Sequence, residues 1–321
     1  LKTQITIPAN DKLLVGNSSR DDAAVYDLGN GTALISTTDF FMPIVDDAFT
    51  FGKVAAANAI SDVYAMGGKP LVAVAILGWP EKIPASEAKK VLAGAREICA
   101  EAVIPLAGGH SIESAEPFFG LAVNGIVNIP NLKRNDTAKE GDIIFLTKPL
   151  GLGILSTAQK RKVIEDADVP LLFSELTKLN AVGELLGTIQ GVHAMTDVTG
   201  FGLAGHLLEM AEGSGLSAEI RYADVPVYER AKYYLKLRAV PDATYRNWQS
   251  YGDKIDFAKD VDVMESFSIL PDPQTNGGLL FSVSRESIGE INNILQQNTN
   301  GDLAKPIGQF IPKKDKVIFV K

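Results

Sequence analysis

The fold class is decided by residues 51–77, which read FGKVAAANAISDVYAMGGKPLVAVAIL. The first part, Phe51–Met66, has the small residues and the apolar spacing of a helix. The pair Gly67-Gly68 predicts the point at which this helix ends. Leu71–Leu77 is apolar throughout, and we predict a strand that is buried on both faces. A helix that leads directly into such a strand is typical of layered α/β proteins.

The same alternation continues on both sides of this stretch. Short apolar runs predict strands, and longer segments with apolar residues three or four positions apart predict helices. The predicted strands are Thr32–Thr38, which leads into Asp39, Phe118–Val127, Ile143–Thr147 and Leu279–Val283, and the predicted helices are Ser86–Ala102, Pro170–Leu186, Phe201–Glu212 and one after the last strand.

One polar segment divides this pattern in two. Pro130–Gly141 is charged and punctuated by Pro, Asn and Gly, so we place a domain boundary there. We predict an α/β protein (α+β layered) of two domains, residues 1–130 and residues 131–321. The first domain is expected to contain a mixed sheet, and the second to be an α/β sandwich.

Composition and charge narrow the class of protein. The chain has 321 residues, of which 46% are hydrophobic and 22% charged, as in ordinary globular proteins. Its net charge of -8 disfavours nucleic acid and anionic membranes as partners, because both demand a basic surface. Apolar runs fall short of the roughly 18 residues that cross a bilayer. The single cysteine, Cys99, falls on an apolar helix stripe, so we expect a buried thiol, no intrachain disulfide and a cytoplasmic location.

Acidic residues near the ends of segments carry the chemical signal. The Gly-x-x-x-x-Gly-Lys-Ser/Thr loop of P-loop enzymes is absent from the sequence. Asp21-Asp22 leads into a short apolar run, and Asp39 ends a predicted strand. Asn58 and Asp62 lie four residues apart, on one helical face. Such oxygen ligands suit Mg²⁺, whereas three histidines and one cysteine offer no zinc spacing. Each residue alone is more often a turn residue or a cap, so the prediction depends on their combination.

Several sequence blocks resemble a known superfamily and one of its families. The blocks RDDAAV (20–25), STTDFF (36–41) and NAISD (58–62) with AMGGKP (65–70) resemble the aminoimidazole-ribonucleotide-synthetase-like superfamily, whose members bind ATP through metals. The blocks LAGGHSI (106–112), MTDVTGFG (195–202) and DPQTNGGL (272–279) resemble selenophosphate synthetase. His110 favours the synthetase, because the related kinases usually carry Asp or Glu at that position. The likeness covers nearly the whole chain.

The resemblance implies a site for ATP and Mg²⁺. Magnesium ligands are expected at Asp22, Asp62 and Asp197, with Asp39 and Asn58 close to the same metals or to the phosphates. A glycine turn at Gly109 would let backbone N–H groups approach an anion closely. His193 and His206 are expected to be structural. The residues expected to line the nucleotide are Ser19, Arg20, Asp21, Asp39, Asp62, Gly109, His110 and Ser111.

The implied reaction makes selenophosphate from selenide, ATP and water, with release of AMP and phosphate. We expect the reactive cysteine or selenocysteine of the family, and a nearby lysine, upstream of Leu1, so no residue of this chain is assigned to catalysis. We also expect a homodimer, with Leu71–Leu77 pairing across a two-fold axis. Two alternatives remain open: a small-molecule kinase such as thiamine-monophosphate kinase, which leaves ADP, and a non-catalytic module that binds nucleotide and metal.

Overall fold

The computed structural model describes residues 10–16, 20–299 and 303–321. The chain divides into two compact units, one made of 1–132 with 177–184 and the other of 133–176 with 185–321. Each unit contains one mixed sheet with helices, which confirms the predicted α/β layered class. None of the helices in the described residues is both long and apolar enough to span a membrane.

The first unit is built on a six-stranded sheet and two long helices. The strand order is β1-β2-β3-β6-β4-β5, in which β4 and β5 run parallel and the other neighbours antiparallel. Its elements are β1 (Leu13–Val15), β2 (Ala24–Asp27), β3 (Thr32–Phe41), α1 (Ala48–Ala65), β4 (Lys69–Trp79), α2 (Ala85–Glu101), β5 (Leu106–Glu113) and β6 (Phe118–Asn128).

Helix α1 is the central helix of this unit. The Asp47 side chain caps its start by accepting a hydrogen bond from the Thr50 N–H at 2.7 Å. Gly67 follows its end with a φ of 72°, a left-handed conformation that suits glycine. Helix α2 approaches so closely that a Cβ on Gly52 would lie 1.9 Å from the carbonyl oxygen of Val91. The helix predicted at Phe51–Met66 is therefore confirmed, and glycine contacts fix its position against its neighbour.

The predicted end of β3 is wrong, and β4 is covered on one face only in the monomer. Strand β3 continues to Phe41, so Asp39 lies inside the strand and not at its end. Strand β4 is not buried on both faces in the monomer, because Val74 is 39% exposed, and Leu71, at the register irregularity between Pro70 and Val72, is 44% exposed. Helix α1 packs on the opposite face of the sheet, where Ala73 and Ala75 are buried. The alternation in burial shows that this strand is covered on one side.

The second unit has a seven-stranded sheet of order β10-β13-β9-β12-β7-β11-β8. The strands and helices predicted around Ile143, Phe201 and Leu279 are confirmed to within about two residues. Its elements are β7 (Ile143–Leu146), α3 (Leu152–Lys160), α4 (Val169–Thr177), α5 (Val182–Thr188), β8 (Val192–Asp197), α6 (Gly202–Gly213), β9 (Ser217–Ile220), α7 (Glu229–Lys236), α8 (Asp242–Tyr251), β10 (Ile255–Phe257), α9 (Val263–Ile269), β11 (Leu279–Val283), α10 (Ile288–Asn298), β12 (Gly308–Ile311) and β13 (Ile318–Val320), although the ends of α4 and α5 cluster with the first unit.

The single helix predicted at Pro170–Leu186 is wrong, because two helices, α4 and α5, occupy this segment. Between them Asn180, which is 1% exposed, donates from its side-chain amide to Ser61 Oγ at 2.8 Å. This tertiary hydrogen bond stabilises a non-helical stretch that the apolar spacing alone does not reveal.

Candidate functional site

The first unit brings four oxygen-bearing side chains together between β3 and α1. Asn58 donates from Nδ2 to Asp39 Oδ2 at 2.5 Å, and the Thr37 hydroxyl donates to Asp62 Oδ2. Thr37 and Asp39 are two apart on a strand and therefore share a face, while Asn58 and Asp62 are one turn apart on the helix. We call Thr37, Asp39, Asn58 and Asp62 the β3–α1 cluster.

Burial shapes the electrostatics of this cluster. Asn58 and Asp62 are only 4% and 9% exposed. Burial raises the pKa of Asp39 above its ordinary value, and the hydrogen bond from Asn58 acts in the opposite direction. Two partly desolvated carboxyl groups, one on the strand and one on the helix, favour a bound cation, because a cation offsets the cost of burying their negative charge.

The segment before β2 approaches the same end of β3. Ala24 pairs with Ser36 in an antiparallel register, so the chain that precedes Ala24 runs toward the Thr37–Asp39 end of β3. Asp21 and Asp22 lie in this segment and are partly buried. Arg20 is exposed, and Ser19, also predicted to line the nucleotide, lies outside the described residues.

The oxygen atoms of the β3–α1 cluster could supply some, but not all, of the ligands of a magnesium ion. Within residues 10–16, 20–299 and 303–321, no group of three or more His, Cys, Asp or Glu side chains is arranged to hold a metal ion. Mg²⁺ is usually held in proteins by only one or two carboxylates, with water and substrate phosphates completing its octahedron. Asp39 and Asp62, supported by Asn58, match this requirement, since a nucleotide would bring the remaining oxygens.

Strand β5 carries the predicted residues Gly109, His110 and Ser111, all of which are exposed. The expected glycine turn is wrong, because these residues lie within the strand, hydrogen-bonded parallel to β4. Gly109 is needed for close packing: a Cβ there would lie 2.2 Å from the Ala75 carbonyl oxygen.

A cavity of about 280 Å³ lies beside this strand, within the first unit. Residues 108–111 form one wall, and Arg96 of α2 contributes a guanidinium to the lining. Sequence reasoning missed Arg96, because a basic residue on the polar face of an amphipathic helix gives no distinctive signal. The cavity combines the backbone of an edge strand and one cation with an otherwise apolar lining, which suits a ligand that has an anionic group beside an apolar part. The apolar lining residues are Ala75, Leu77, Leu92 and Leu106.

Asp197 lies in the second unit, at the end of β8, and is 1% exposed. It is opposite Leu279 of the neighbouring strand β11. The next residues are held by backbone hydrogen bonds, since the Val198 N–H donates to the Gly278 carbonyl at 2.8 Å and the Gln274 N–H to the Thr199 carbonyl at 3.0 Å. The predicted metal ligand is thus at a strand end whose following loop, residues 198–202, is fixed.

Asp272 and Gln274 are buried polar residues that the sequence analysis did not select as site residues. They are 0% and 3% exposed, and Gln274 Nε2 donates to Asp272 Oδ2 at 2.8 Å. Burial raises the pKa of Asp272 to about 8, against the lowering effect of its hydrogen bonds from Gln274, Ile154 and Gly153. The only sequence signal for them is their place in the block 272–279.

The cysteine and two histidines have structural surroundings. Cys99 is buried on α2, and burial raises the pKa of its thiol to about 11, as expected for an inert thiol. His193 Nδ1 lies 2.9 Å from both carboxylate oxygens of Asp142. His206 Nε2 accepts a hydrogen bond from the Thr199 N–H at 3.1 Å, so it also supports the loop after β8.

Two family profiles match almost the whole chain. Residues 20–127 match "AIR synthase related protein, N-terminal domain", and residues 139–321 match "AIR synthase related protein, C-terminal domain". Two solved structures share the fold. Thiamine-monophosphate kinase from Stenotrophomonas maltophilia is 19% identical, with a TM-score of 0.69 over 97% of this chain and 92% of its own. Hydrogenase maturation protein HypE in complex with ATP is 20% identical, with a TM-score of 0.73 over 97% and 86%.

A curated relative is much more similar in sequence. "Selenide, water dikinase" of Aeromonas hydrophila subsp. hydrophila is 56% identical over 311 residues, which cover 97% of this chain and 88% of the relative. The match covers 97% of this chain and therefore reaches both units. The chain therefore belongs to the selenide, water dikinase family of AIR synthase related proteins.

Proposed function

We propose that this protein makes selenophosphate from selenide, ATP and water and releases AMP and phosphate. The observation that carries the proposal is the 56% identity to a selenide, water dikinase over 97% of the chain. The alternative of a small-molecule kinase is not favoured, because the thiamine-monophosphate kinase structure is only 19% identical and supports the fold alone.

ATP is the proposed phosphoryl donor, held in the first unit by the β3–α1 cluster and by strand β5. The fold matches a protein that was solved in complex with ATP, and the cavity beside β5 has a backbone wall and a guanidinium at Arg96. Arg20, Asp21 and Ser19 remain proposed nucleotide contacts on the segment before β2. Burial of the cluster limits access of bulk water and strengthens electrostatic contacts with phosphate oxygens or cations.

Magnesium is the proposed metal, with Asp22, Asp39, Asn58 and Asp62 in the first unit and Asp197 in the second as its proposed ligands. When bound, it would neutralise charge on the transferring phosphoryl oxygens. The chain's own contribution is to orient the ligands: Asn58 holds Asp39, Thr37 holds Asp62, and the hydrogen-bonded loop fixes the chain after Asp197. No residue is assigned as a general base.

A homodimer through the first unit is also proposed. Phe40, Val74 and Ile112 lie on the sheet face opposite α1 and are 51%, 39% and 51% exposed. Three large apolar side chains on one face of a sheet are typical of a surface that is covered by another protein. An isologous contact between two such sheets would bury them. We further propose that the protein acts in the cytoplasm, where ATP is plentiful.

Phosphorus NMR on the full-length protein with ATP, Mg²⁺ and selenide tests the proposed reaction. We expect resonances of selenophosphate, AMP and phosphate to grow together, and no growth of selenophosphate when selenide is omitted. Formation of ADP as the only nucleotide product would instead support a kinase. Binding of ATP without any turnover would identify a non-catalytic module and overturn the proposal.

A further inference from the structure

The start of helix α3 is capped by two side chains from a distant part of the chain. The first N–H groups of an α-helix have no partner within the helix. Here the N–H groups of Gly151 and Leu152 donate to Gln274 Oε1 at 3.3 and 3.1 Å. Those of Gly153 and Ile154 donate to Asp272 Oδ2 at 3.1 and 3.4 Å. All four donors at the helix start are satisfied by residues that lie 118 to 123 positions away in sequence.

The same two residues belong to a segment that holds the chain after Asp197. The Gln274 N–H donates to the Thr199 carbonyl at 3.0 Å, and the Val198 N–H donates to the Gly278 carbonyl at 2.8 Å. Asn247 adds a bridge, since its Nδ2 donates to the carbonyl oxygens of both Gly200 and Pro271, at 2.8 and 3.0 Å. Segment 271–278 therefore contacts α3 on one side and the loop 198–202 on the other.

These contacts leave little room for the segment to shift. A Cβ on Gly153 would lie 2.3 Å from the Pro273 carbonyl oxygen, and a Cβ on Gly277 would lie 2.1 Å from the Val198 carbonyl oxygen. Backbone meets backbone at both places. Close-packed interiors transmit displacements because they contain few voids that could absorb them. A change in the cap of α3 is therefore expected to move the loop after β8.

A cap alone would stabilise the fold without any effect on a ligand. The location of this cap gives it a second role. Asp272 Oδ1 is buried without a hydrogen-bond partner among the described residues. Only one of the two carboxyl oxygens, Oδ2, is therefore hydrogen-bonded within the described part of the chain. Asp272 satisfies the helix start, and the segment that carries it is hydrogen-bonded to the loop after Asp197 through Gln274 and Gly278, which is the arrangement expected of an outer support for a ligand.

We infer that Asp272 and Gln274 are positioning residues for Asp197: by capping α3 they hold segment 271–278 against the loop 198–202 and so fix Asp197 in the orientation that binds metal and nucleotide. The inference rests on the proposed function, in which Asp197 is a metal ligand. Neither residue needs to touch the metal or the nucleotide to act in this way.

The test uses three substitutions and one matched control in the whole protein. Asp272→Asn retains the shape but replaces the carboxyl group that accepts from Gly153 and Ile154 by an amide, whose NH2 takes the buried position of Oδ1 or Oδ2. Gln274→Glu retains an acceptor for the helix start and replaces the amide that donates to Asp272. Asp197→Asn tests the ligand itself. The control is Ser217→Ala on strand β9, three strands from β11 in the same sheet. It removes the hydrogen bond that the buried Ser217 hydroxyl donates to the Lys316 carbonyl and the one that it accepts from the Lys314 N–H.

Two measurements separate positioning from simple stability. Calorimetry with Mg²⁺ and a non-hydrolysable ATP analogue gives the affinity, and amide hydrogen exchange without ligand reports the Val198 and Thr199 N–H groups. We expect Asp272→Asn and Gln274→Glu each to bind roughly tenfold more weakly, within the range known for outer-shell partners of metal ligands. We also expect faster exchange at residues 198–202. Ser217→Ala should lower the melting temperature but leave both readouts unchanged.

The outcomes separate the ligand role of Asp197 from the positioning role of Asp272 and Gln274. If Asp197→Asn binds as tightly as the native protein, Asp197 is not a ligand, and the positioning role falls with it. If Asp197→Asn binds weakly but Asp272→Asn and Gln274→Glu bind normally, only the positioning role is overturned. If Asp272→Asn does not fold, Gln274→Glu alone decides by the same criteria. A loss of affinity in Ser217→Ala equal to that of Asp272→Asn would show a general stability effect and would also overturn the inference.

Discussion

Replacing Gly109 by alanine should disturb strand β5 much more than replacing Gly108. Both residues have φ near +150°, so an alanine at either position carries a similar backbone strain, of order 1–3 kcal/mol. Their surroundings differ: a Cβ at Gly109 would lie 2.2 Å from the Ala75 carbonyl oxygen, whereas a Cβ at Gly108 would meet nothing within 4 Å. The comparison of the two variants therefore isolates the packing between β4 and β5.

The magnitude follows from the contact distance. Carbon atoms in good contact are about 3.5 Å or more from their neighbours, so β5 must move away from β4 by roughly 1 Å. Overpacking of this kind costs about 1–3 kcal/mol. We expect Gly109→Ala to lower the free energy of unfolding by that amount beyond the effect of Gly108→Ala. Because β5 also carries His110 and Ser111, nucleotide affinity should fall in Gly109→Ala more than in Gly108→Ala.

Urea denaturation followed by circular dichroism, with calorimetric titration of Mg²⁺ and an ATP analogue, measures both effects. Unchanged denaturant m-values would show that the comparison concerns stability and not a change in the unfolded state. Equal destabilisation by the two alanines would refute the packing argument, because backbone strain would then account for the whole effect. A normal affinity in a destabilised Gly109→Ala would separate strand β5 from nucleotide binding.

Three further outcomes are expected. Asp62→Ala and Asp197→Ala should each abolish Mg²⁺-dependent nucleotide binding in calorimetry while the apo proteins keep a cooperative melt, and native-like affinity in either variant would remove that residue from the proposed site. The raised pKa of Asp272, about 8 against an ordinary 3.8, means that the folded state holds this proton more tightly; the associated stability is complete below about pH 4 and is lost as the pH rises to about 8. Urea denaturation at pH 5 and pH 8 should therefore show the native protein losing stability relative to Asp272→Asn, and parallel pH profiles would contradict this. Val74→Asp should place a charge on the uncovered sheet face and convert the proposed dimer to a monomer in sedimentation velocity, whereas a native protein that is already monomeric at micromolar concentration would exclude the dimer.

Local pattern was sufficient for most elements of the fold. The predicted helix at Phe51–Met66 is confirmed because its apolar spacing and its Gly67 stop are local signals. Burial of β4 on both faces could not be inferred, since an apolar run does not report which layers cover it. The break within Pro170–Leu186 depends on a hydrogen bond between Asn180 and Ser61, 119 residues apart, which no local window contains.

Some features of the candidate site could likewise be predicted from local sequence, and others could not. Asn58 and Asp62 could be placed on one face because helix periodicity fixes that relation, and the structure pairs them with Asp39 and Thr37 of β3. The turn predicted at Gly109 was wrong, because a pair of glycines is typical of a turn, whereas a parallel edge strand has no distinctive sequence pattern. Asp272 was missed because its partners at Gly153 and Ile154 lie more than a hundred residues upstream.

The distant cap of α3 also has a consequence for biosynthesis. A ribosome synthesises the chain from the N-terminus to the C-terminus, so residues 152–160 leave the exit tunnel well before Asp272 and Gln274 have been synthesised. During that interval the helix start has no acceptor from these side chains, and an isolated helix of this length is marginal in water. Helix α3 should therefore become stable only after segment 271–278 has been synthesised. A ribosome stalled before residue 271 would hold a nascent chain in which α3 is still open to proteases, and release of the completed chain would protect it.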